Sequence, residues 1–203
     1  ELDAQAYIDA FKRAVTKAIN VSGVSRADIA SLGISAQGET LFCLDGNDQP
    51  LRPAIVWMDN RANKEADWIE EQLGRRTIHS TTGQVGMSAI WPASKILWLR
   101  NNEPETFAKT AKFLLIEDFF ILLLTGQYAS EDSLLCSTMY WDINTRGYWP
   151  DMLRLLGIQE AQLPQIHHPG TPIGNVTPEA ASEFGLSTDT LICLGALDQA
   201  CGA

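Results

Sequence analysis

Hydrophobic positions recur at two spacings along the chain, and the two spacings alternate. A helical stripe follows Asp3, which can cap it, and is formed by Tyr7, Ile8, Phe11, Ala14, Val15, Ala18 and Ile19. Further helices are predicted over residues 60–73, 93–100, 113–125 and 151–156 and from 177 onward, and strands over 29–35, 41–44, 174–176 and 191–197. Residues 77–88, 129–142 and 158–172 are predicted to be loops or irregular. The alternation of strands and helices predicts an α/β domain.

The last stretch of the sequence is the most informative one. An uncharged apolar run from Leu191 predicts a strand buried on both faces, and Gly195 and Ala196 then allow the backbone to turn. Asp198 and Gln199 follow directly. Ligands of open α/β sheets bind beyond the carboxyl ends of strands, so Asp198 is a candidate base or metal ligand. The alternative is that Asp198 only caps the next helix.

A second polar interruption lies between the two predicted strands near the start of the chain. Residues 37–40 (Gln-Gly-Glu-Thr), called here the polar corner, connect these strands. Gln37 and Glu39 could contact a substrate. Equally, Gln37 could serve only backbone groups of the corner, and Glu39 could be a solvated carboxylate.

Composition and charge narrow the class of protein. The 203 residues are 45% hydrophobic and 20% charged, as in ordinary globular domains. The net charge of -10 argues against nucleic acid or an anionic membrane surface as the main partner. The longest apolar patch, residues 113–124, is interrupted by Glu117 and Asp118 and is too short to span a bilayer.

The four cysteines indicate a reducing compartment. Cys43, Cys136, Cys193 and Cys201 form no C-x-x-C pair and have no histidine at ligand spacing, so no zinc site is predicted. Cys193 and Cys201 are predicted to be buried thiols. The first residues do not resemble a signal peptide, and a cytoplasmic location is expected. Both ends of the sequence look cut, and we interpret it as a segment of a longer protein.

Several segments, taken together and in order, resemble a known family. They are GISAQ with Glu39 and Thr40 (33–40), LRPAIVWMDNR (51–61), KILWL (95–99), residues 118–126, STM (137–139) and GALDQA (195–200). Their order and spacing resemble the sugar-binding half of the FGGY carbohydrate kinases. The resemblance implies a partial ribonuclease H-like (actin-like ATPase) domain over residues 1–203. It implies that the family's phosphate-binding hairpin and C-terminal nucleotide domain are absent, so the segment alone should have no kinase turnover.

The resemblance also implies roles for individual residues. Asp198 matches the aspartate that takes the proton from the attacking hydroxyl, and Gln199 matches a neighbour that holds a substrate hydroxyl. Gly38 and Glu39 fall where the family contacts the sugar, and Asp132 falls near another contact position. Gly38 has no side chain, so a substrate longer than glycerol is expected.

The resemblance further implies ATP with Mg²⁺ as cofactors, a small sugar or polyol as substrate and a homodimer. Apart from Asp198, no residue of the segment is expected to contact the metal. A xylulose-like ketose is the first candidate substrate, and glycerol or another polyol is the next. Two other hypotheses stay open. One is a non-catalytic sugar-binding or regulatory module on the same fold, and the other is a hydrolase using Glu39 and Asp198.

Overall fold

The computed structural model describes residues 1–203 and contains both helices and strands, as predicted, but four consecutive helices over residues 63–109 interrupt the predicted alternation. The helices are α1 (Ala4–Ser22), α2 (Asn63–Leu73), α3 (Arg75–Thr82), α4 (Pro92–Asn102), α5 (Pro104–Lys109), α6 (Ile116–Thr125), α7 (Asp132–Leu135), α8 (Pro150–Leu156), α9 (Pro178–Phe184) and α10 (Asp198–Cys201). The strands are β1 (Ser31–Ala36), β2 (Leu41–Leu44), β3 (Lys112–Leu115), β4 (Ala129–Glu131), β5 (Trp141–Asp142), β6 (Gly147–Tyr148), β7 (Gln165–His167), β8 (Pro172–Asn175) and β9 (Leu191–Leu197).

A three-stranded sheet of order β1-β9-β8 carries the C-terminal stretch. β9 is parallel to β1 and antiparallel to β8. The other strands form pairs: β2 with β3 antiparallel, β4 with β7 parallel, and β5 with β6 antiparallel. Helix α6 packs against β1, β8 and β9 and so covers one face of the three-stranded sheet.

Two hydrophobic clusters form the interior. The first contains 18 buried residues, among them Ile34, Phe120 and Ile192, and is bordered by partly buried side chains of α1. The second contains 23 buried residues, among them Ile96 and Met152, and joins α4 to α8. Burial of this much apolar surface is the main stabilising contribution to the fold.

The predicted helix over 113–125 was wrong at its start. Residues 112–115 form β3, which pairs with β2, and α6 begins only at Ile116. The break is built by Asp118, whose Oδ2 accepts a hydrogen bond from the backbone N–H of Leu115 at 2.8 Å. A carboxylate at this position starts a helix by satisfying an amide that has no partner within the helix.

The predicted loop over 77–88 was also wrong, because α3 occupies its first half. Ile78 of α3 is fully buried and belongs to the second cluster, so this otherwise polar segment packs against the interior. Within the predicted loop over 158–172, β7 forms by pairing with β4. Contacts with distant parts of the chain determine the secondary structure of both segments, and the local composition does not reveal these contacts.

The expected burial of the C-terminal stretch was only half right. Along β9, Ile192 and Leu194 are buried, whereas Cys193 between them is only partly buried. Cys201 on α10 is exposed, so its prediction as a buried thiol was wrong. None of the ten helices combines the length and apolar character that crossing a bilayer requires.

Candidate functional site

The polar corner and Asp198 meet at one edge of the sheet. Because β1 and β9 are parallel and Ala36 lies opposite Leu197, the residues that follow the two strands emerge side by side. Gln37 follows β1, and Asp198 follows β9 as the first residue of α10. This is the edge at which parallel sheets bind their ligands.

A cavity of about 490 Å³ opens at this edge. Gln37 and Asp198 line it, together with apolar side chains of α1 and α6 that include Tyr7, Phe11 and Phe120. Pockets of this size, with apolar walls and a few polar groups, are suited to small molecules.

Asp198 is exposed at the cavity and is not a helix cap. The N-cap of α10 is Leu197, and Asp198 Oδ1 accepts only the adjacent Gln199 N–H, at 2.9 Å. The carboxylate therefore keeps lone pairs for a ligand. The alternative in which Asp198 serves only as the N-cap does not match this geometry.

Glu39 lies half-buried in the polar corner. Burial raises the pKa of its carboxyl group, while the Ser137 hydroxyl and the charge of Lys95 act in the opposite direction. The negative charge of Asp198 also raises the pKa of Glu39, so the two carboxylates lie within each other's electrostatic field. Glu39 is therefore not a freely solvated turn residue.

Gln37 contacts the corner itself as well as the cavity. Its Nε2 donates a hydrogen bond to Thr40 Oγ1 at 2.8 Å, and the same hydroxyl oxygen accepts the Trp57 N–H at 3.0 Å. Gln37 thus bonds a side-chain hydroxyl of the corner and not the backbone groups that were considered for it. The side chain also lines the cavity beside Asp198.

Gly38 does not leave empty space in the corner. A Cβ atom at Gly38 would collide with Ser137 Oγ and would lie 2.8 Å from Leu197 Cδ1. Ser137 therefore fills the volume that a side chain at position 38 would need. The structural basis for expecting a longer substrate from Gly38 was wrong.

Lys95 is a residue of this region whose role the sequence did not reveal. It lies on α4 and is fully buried. Its ammonium group donates to the carbonyl oxygens of Glu39 at 2.6 Å, Val56 at 3.1 Å and Trp57 at 3.3 Å. Burial lowers the pKa of Lys95 to about 8, so its charge is largely retained at pH 7. A lone lysine inside the otherwise apolar pattern of KILWL was the available signal.

Asp132 and Gln199 are placed differently from the other candidates. Asp132 pairs with Arg146 and with His168 Nδ1, the latter at 3.3 Å, and lines a separate cavity of about 240 Å³. Asp132 is not among the residues that line the Asp198 cavity, and neither are Gly38, Glu39 and Gln199. Gln199 is exposed on α10, one residue beyond Asp198.

Trp57 lies at the protein surface beside the corner. Its side chain is 40% exposed, and its backbone is attached to the corner through Thr40. Asp59 and Arg61 form an ion pair, with Nε–Oδ1 at 2.9 Å and Nη2–Oδ2 at 2.7 Å. Hydrogen bonding to Arg61 lowers the pKa of Asp59 to about 2.

The donor set bears on which metal could bind. No group of three or more His, Cys, Asp or Glu side chains converges to hold an ion. Mg²⁺ in phosphate chemistry needs only one or two carboxylates, because waters and phosphate oxygens supply the other ligands. The exposed Asp198 carboxylate fits that requirement, whereas a metal held by protein ligands alone does not.

Comparison with known proteins agrees with this geometry. The description "FGGY family of carbohydrate kinases, N-terminal domain" matches residues 1–203. Xylulose kinase of Bacillus subtilis is 30% identical over 203 residues, covering 100% of this chain and 40% of its own length. Xylulose kinase of Escherichia coli is 32% identical over 179 residues, covering 88% of this chain and 36% of its own length. The chain thus spans about two fifths of the relatives that it matches.

Solved structures give the same result for the fold. Gluconate kinase from Lactobacillus acidophilus superimposes with a TM-score of 0.88 at 28% identity, covering 97% of this chain and 39% of that protein. Glycerol kinase from Plasmodium falciparum, solved with ADP, gives a TM-score of 0.76 at 28% identity, covering 83% of this chain and 34% of that protein. The chain belongs to the FGGY family of carbohydrate kinases. It carries part of that family's ribonuclease H-like (actin-like ATPase) fold.

Proposed function

We propose that the full-length protein transfers a phosphoryl group from ATP to a hydroxyl of a small sugar or polyol, with a xylulose-like ketose as the first candidate. The observation that carries this proposal is the shared cavity of Asp198 and Gln37 at the carboxyl ends of β1 and β9. The relatives named xylulose kinase support a ketose. The similarity to structures of gluconate and glycerol kinases keeps other polyols as further candidates.

Asp198 would act as the general base. As the substrate oxygen bonds to the γ-phosphorus, its proton passes to the Asp198 carboxylate, the β–γ anhydride bond breaks and ADP leaves. A base within hydrogen-bond reach contributes about 10²–10⁴ in rate. Asp198 is suited to this role because it is exposed at the cavity and only one of its oxygens accepts a hydrogen bond.

The other candidates would hold the sugar. Gln37 presents an amide in the cavity, Glu39 presents a carboxylate from the corner beside it, and Gln199 would approach from α10. The carboxylate of Glu39 accepts sugar hydroxyls as hydrogen-bond donors. For Asp132, which pairs with Arg146, we propose at most a contact with a distal part of the substrate.

The nucleotide requires parts of the protein beyond this domain. Bound Mg²⁺ and ATP would supply the phosphoryl group and neutralise its charge, with Asp198 as the metal contact from these residues. Because the chain spans about two fifths of its relatives, we propose that most of the nucleotide site lies elsewhere in the full-length protein, and that residues 1–203 alone do not turn over. A cytoplasmic location and a homodimer remain predictions.

The test is an ADP-release assay of the full-length protein against a panel of ketoses, polyols and aldonates. Asp198→Asn should lower kcat by about 10²-fold or more, because an amide cannot accept the proton. Asp189→Asn is the matched control, since Asp189 lies exposed in the turn before β9 and should behave as wild type.

Undiminished turnover in the Asp198→Asn variant would contradict the proposed role of this carboxylate. Sugar binding without ADP release across the panel would favour the non-catalytic sugar-binding module instead.

A further inference from the structure

The end of β9 contains a β-bulge directly before Asp198. Ile34 lies opposite Leu194 and Ser35 lies opposite Ala196, so Gly195 is an extra residue without a partner on β1. A Cβ atom at Gly195 would collide with the backbone of Ile34, so only glycine fits this approach. Bulges of this kind bend a strand and redirect the residues that follow, and they are frequent beside active sites.

A buried carboxyl group binds the amide that the bulge leaves free. Glu117 of α6 is fully buried, and its Oε1 accepts the Gly195 N–H at 2.8 Å. Its Oε2 is buried without a hydrogen-bond partner. Burial, reinforced by the charges of Asp118 and Glu131, raises the pKa of Glu117 to about 8. At pH 7 the side chain is therefore mainly a neutral acid whose carbonyl oxygen accepts the bond.

A second side chain holds the amide two residues further along. Ser133 Oγ accepts the Leu197 N–H at 3.2 Å. The same hydroxyl donates to Glu131 Oε1 at 2.9 Å, and Glu131 is fully buried. The backbone is thus held on both sides of Ala196, from α6 and from α7, immediately before Asp198.

We propose that Glu117 and Ser133 are positioning residues that fix the direction in which the Asp198 carboxylate enters the cavity. Neither side chain lines that cavity, so both act through the backbone of residues 195–197. This inference rests on the proposed function of Asp198. It concerns the acceptor atoms of these side chains, and it requires no charge on Glu117.

The test compares Glu117→Leu with Glu117→Gln in the full-length protein. The glutamine keeps a neutral carbonyl acceptor of the same length, so its kcat should stay within about twofold of wild type. The leucine leaves the Gly195 N–H without an acceptor. Because displacements of about 1 Å can cost 10²-fold, kcat of the leucine variant should fall by about 10²-fold while KM changes little. Ser133→Ala should lower kcat by about tenfold, since its hydrogen bond is longer.

Hydrogen exchange gives a readout independent of turnover. Amides of residues 195–198 in the full-length protein should exchange faster in Glu117→Leu and Ser133→Ala than in wild type or Glu117→Gln. The inference would be overturned if the leucine variant, measured below its own melting temperature, had the same kcat and the same amide exchange as wild type. A glutamine variant as impaired as the leucine one would also overturn it. If wild type phosphorylates nothing, the proposed function fails, and the exchange data still decide whether these side chains hold the strand.

Discussion

The two halves of the candidate site are held in place by opposite chemistry. The polar corner is fixed by a buried cation, because Lys95 donates to the carbonyl oxygens of residues 39, 56 and 57. The end of β9 is fixed by a buried acid, because Glu117 accepts an amide. An irregular segment exposes either carbonyl or N–H groups, and each kind needs a complementary side chain when buried. Burial disfavours the charged form of both side chains, so it lowers the pKa of Lys95 to about 8 and raises the pKa of Glu117 to about 8.

The largest expected effect comes from removing the anchor of the corner. Lys95→Met should lower the free energy of unfolding by about 4 kcal/mol, because it leaves three buried carbonyl oxygens without their donor. Urea titration of the full-length protein measures this. Lys64→Met, on the exposed side of α2, is the control and should change the free energy by less than about 0.5 kcal/mol. A loss below about 1 kcal/mol for Lys95→Met would show that the corner does not depend on the lysine.

The next effect tests the close approach at the end of β9. Gly195→Ala should lower the free energy of unfolding by about 3 kcal/mol, because its Cβ collides with the backbone of Ile34. Gly33→Ala on the neighbouring strand is a matched control, since nothing lies within 4 Å of its Cβ position. Equal effects of the two substitutions would mean that the bulge relaxes without cost.

The smallest effect is a dependence on pH. The pKa of Glu117 is raised in the folded state, so between about pH 4.5 and 8 the folded protein binds more protons than the unfolded one. The contribution of Glu117 to stability is therefore lost as the pH rises through this range. Glu117→Gln should be more stable than wild type at pH 6.5 by about 2 kcal/mol relative to their difference at pH 4.5, because each pH unit in this range contributes about 1.4 kcal/mol. Parallel stability curves of the two proteins would contradict a neutral Glu117.

Sequence patterns predicted the parts of the fold that depend on local chemistry. The apolar stripe of α1 and the polar corner after β1 lie where they were predicted, and α9 begins at Pro178, next to its predicted start at residue 177. The family resemblance also implied that the corner and Asp198 belong to one site. Parallel pairing of β1 with β9 provides that proximity.

What the sequence could not show depends on contacts between distant segments. Glu117 and Lys95 lie inside apolar runs, and the neighbouring sequence does not indicate that they bind backbone groups of residues 195 and 39 respectively. For the same reason the volume at Gly38 was misjudged, since the side chain that fills it belongs to Ser137. Asp132 was predicted to lie near the site because of its position in the family pattern, but its side chain forms an ion pair with Arg146.

The pairing of β1 with β9 also bears on how the molecule acquires its shape. Ser31 lies opposite Leu191, so the two strands that frame the cavity come from distant parts of the sequence. The β5–β6 hairpin closes over only a few residues, and such local contacts form much sooner than a pairing that must first enclose most of the chain. We therefore expect the edge of the cavity to assemble late in folding. While a ribosome is still translating the segment before β9, β1 has no partner on that side.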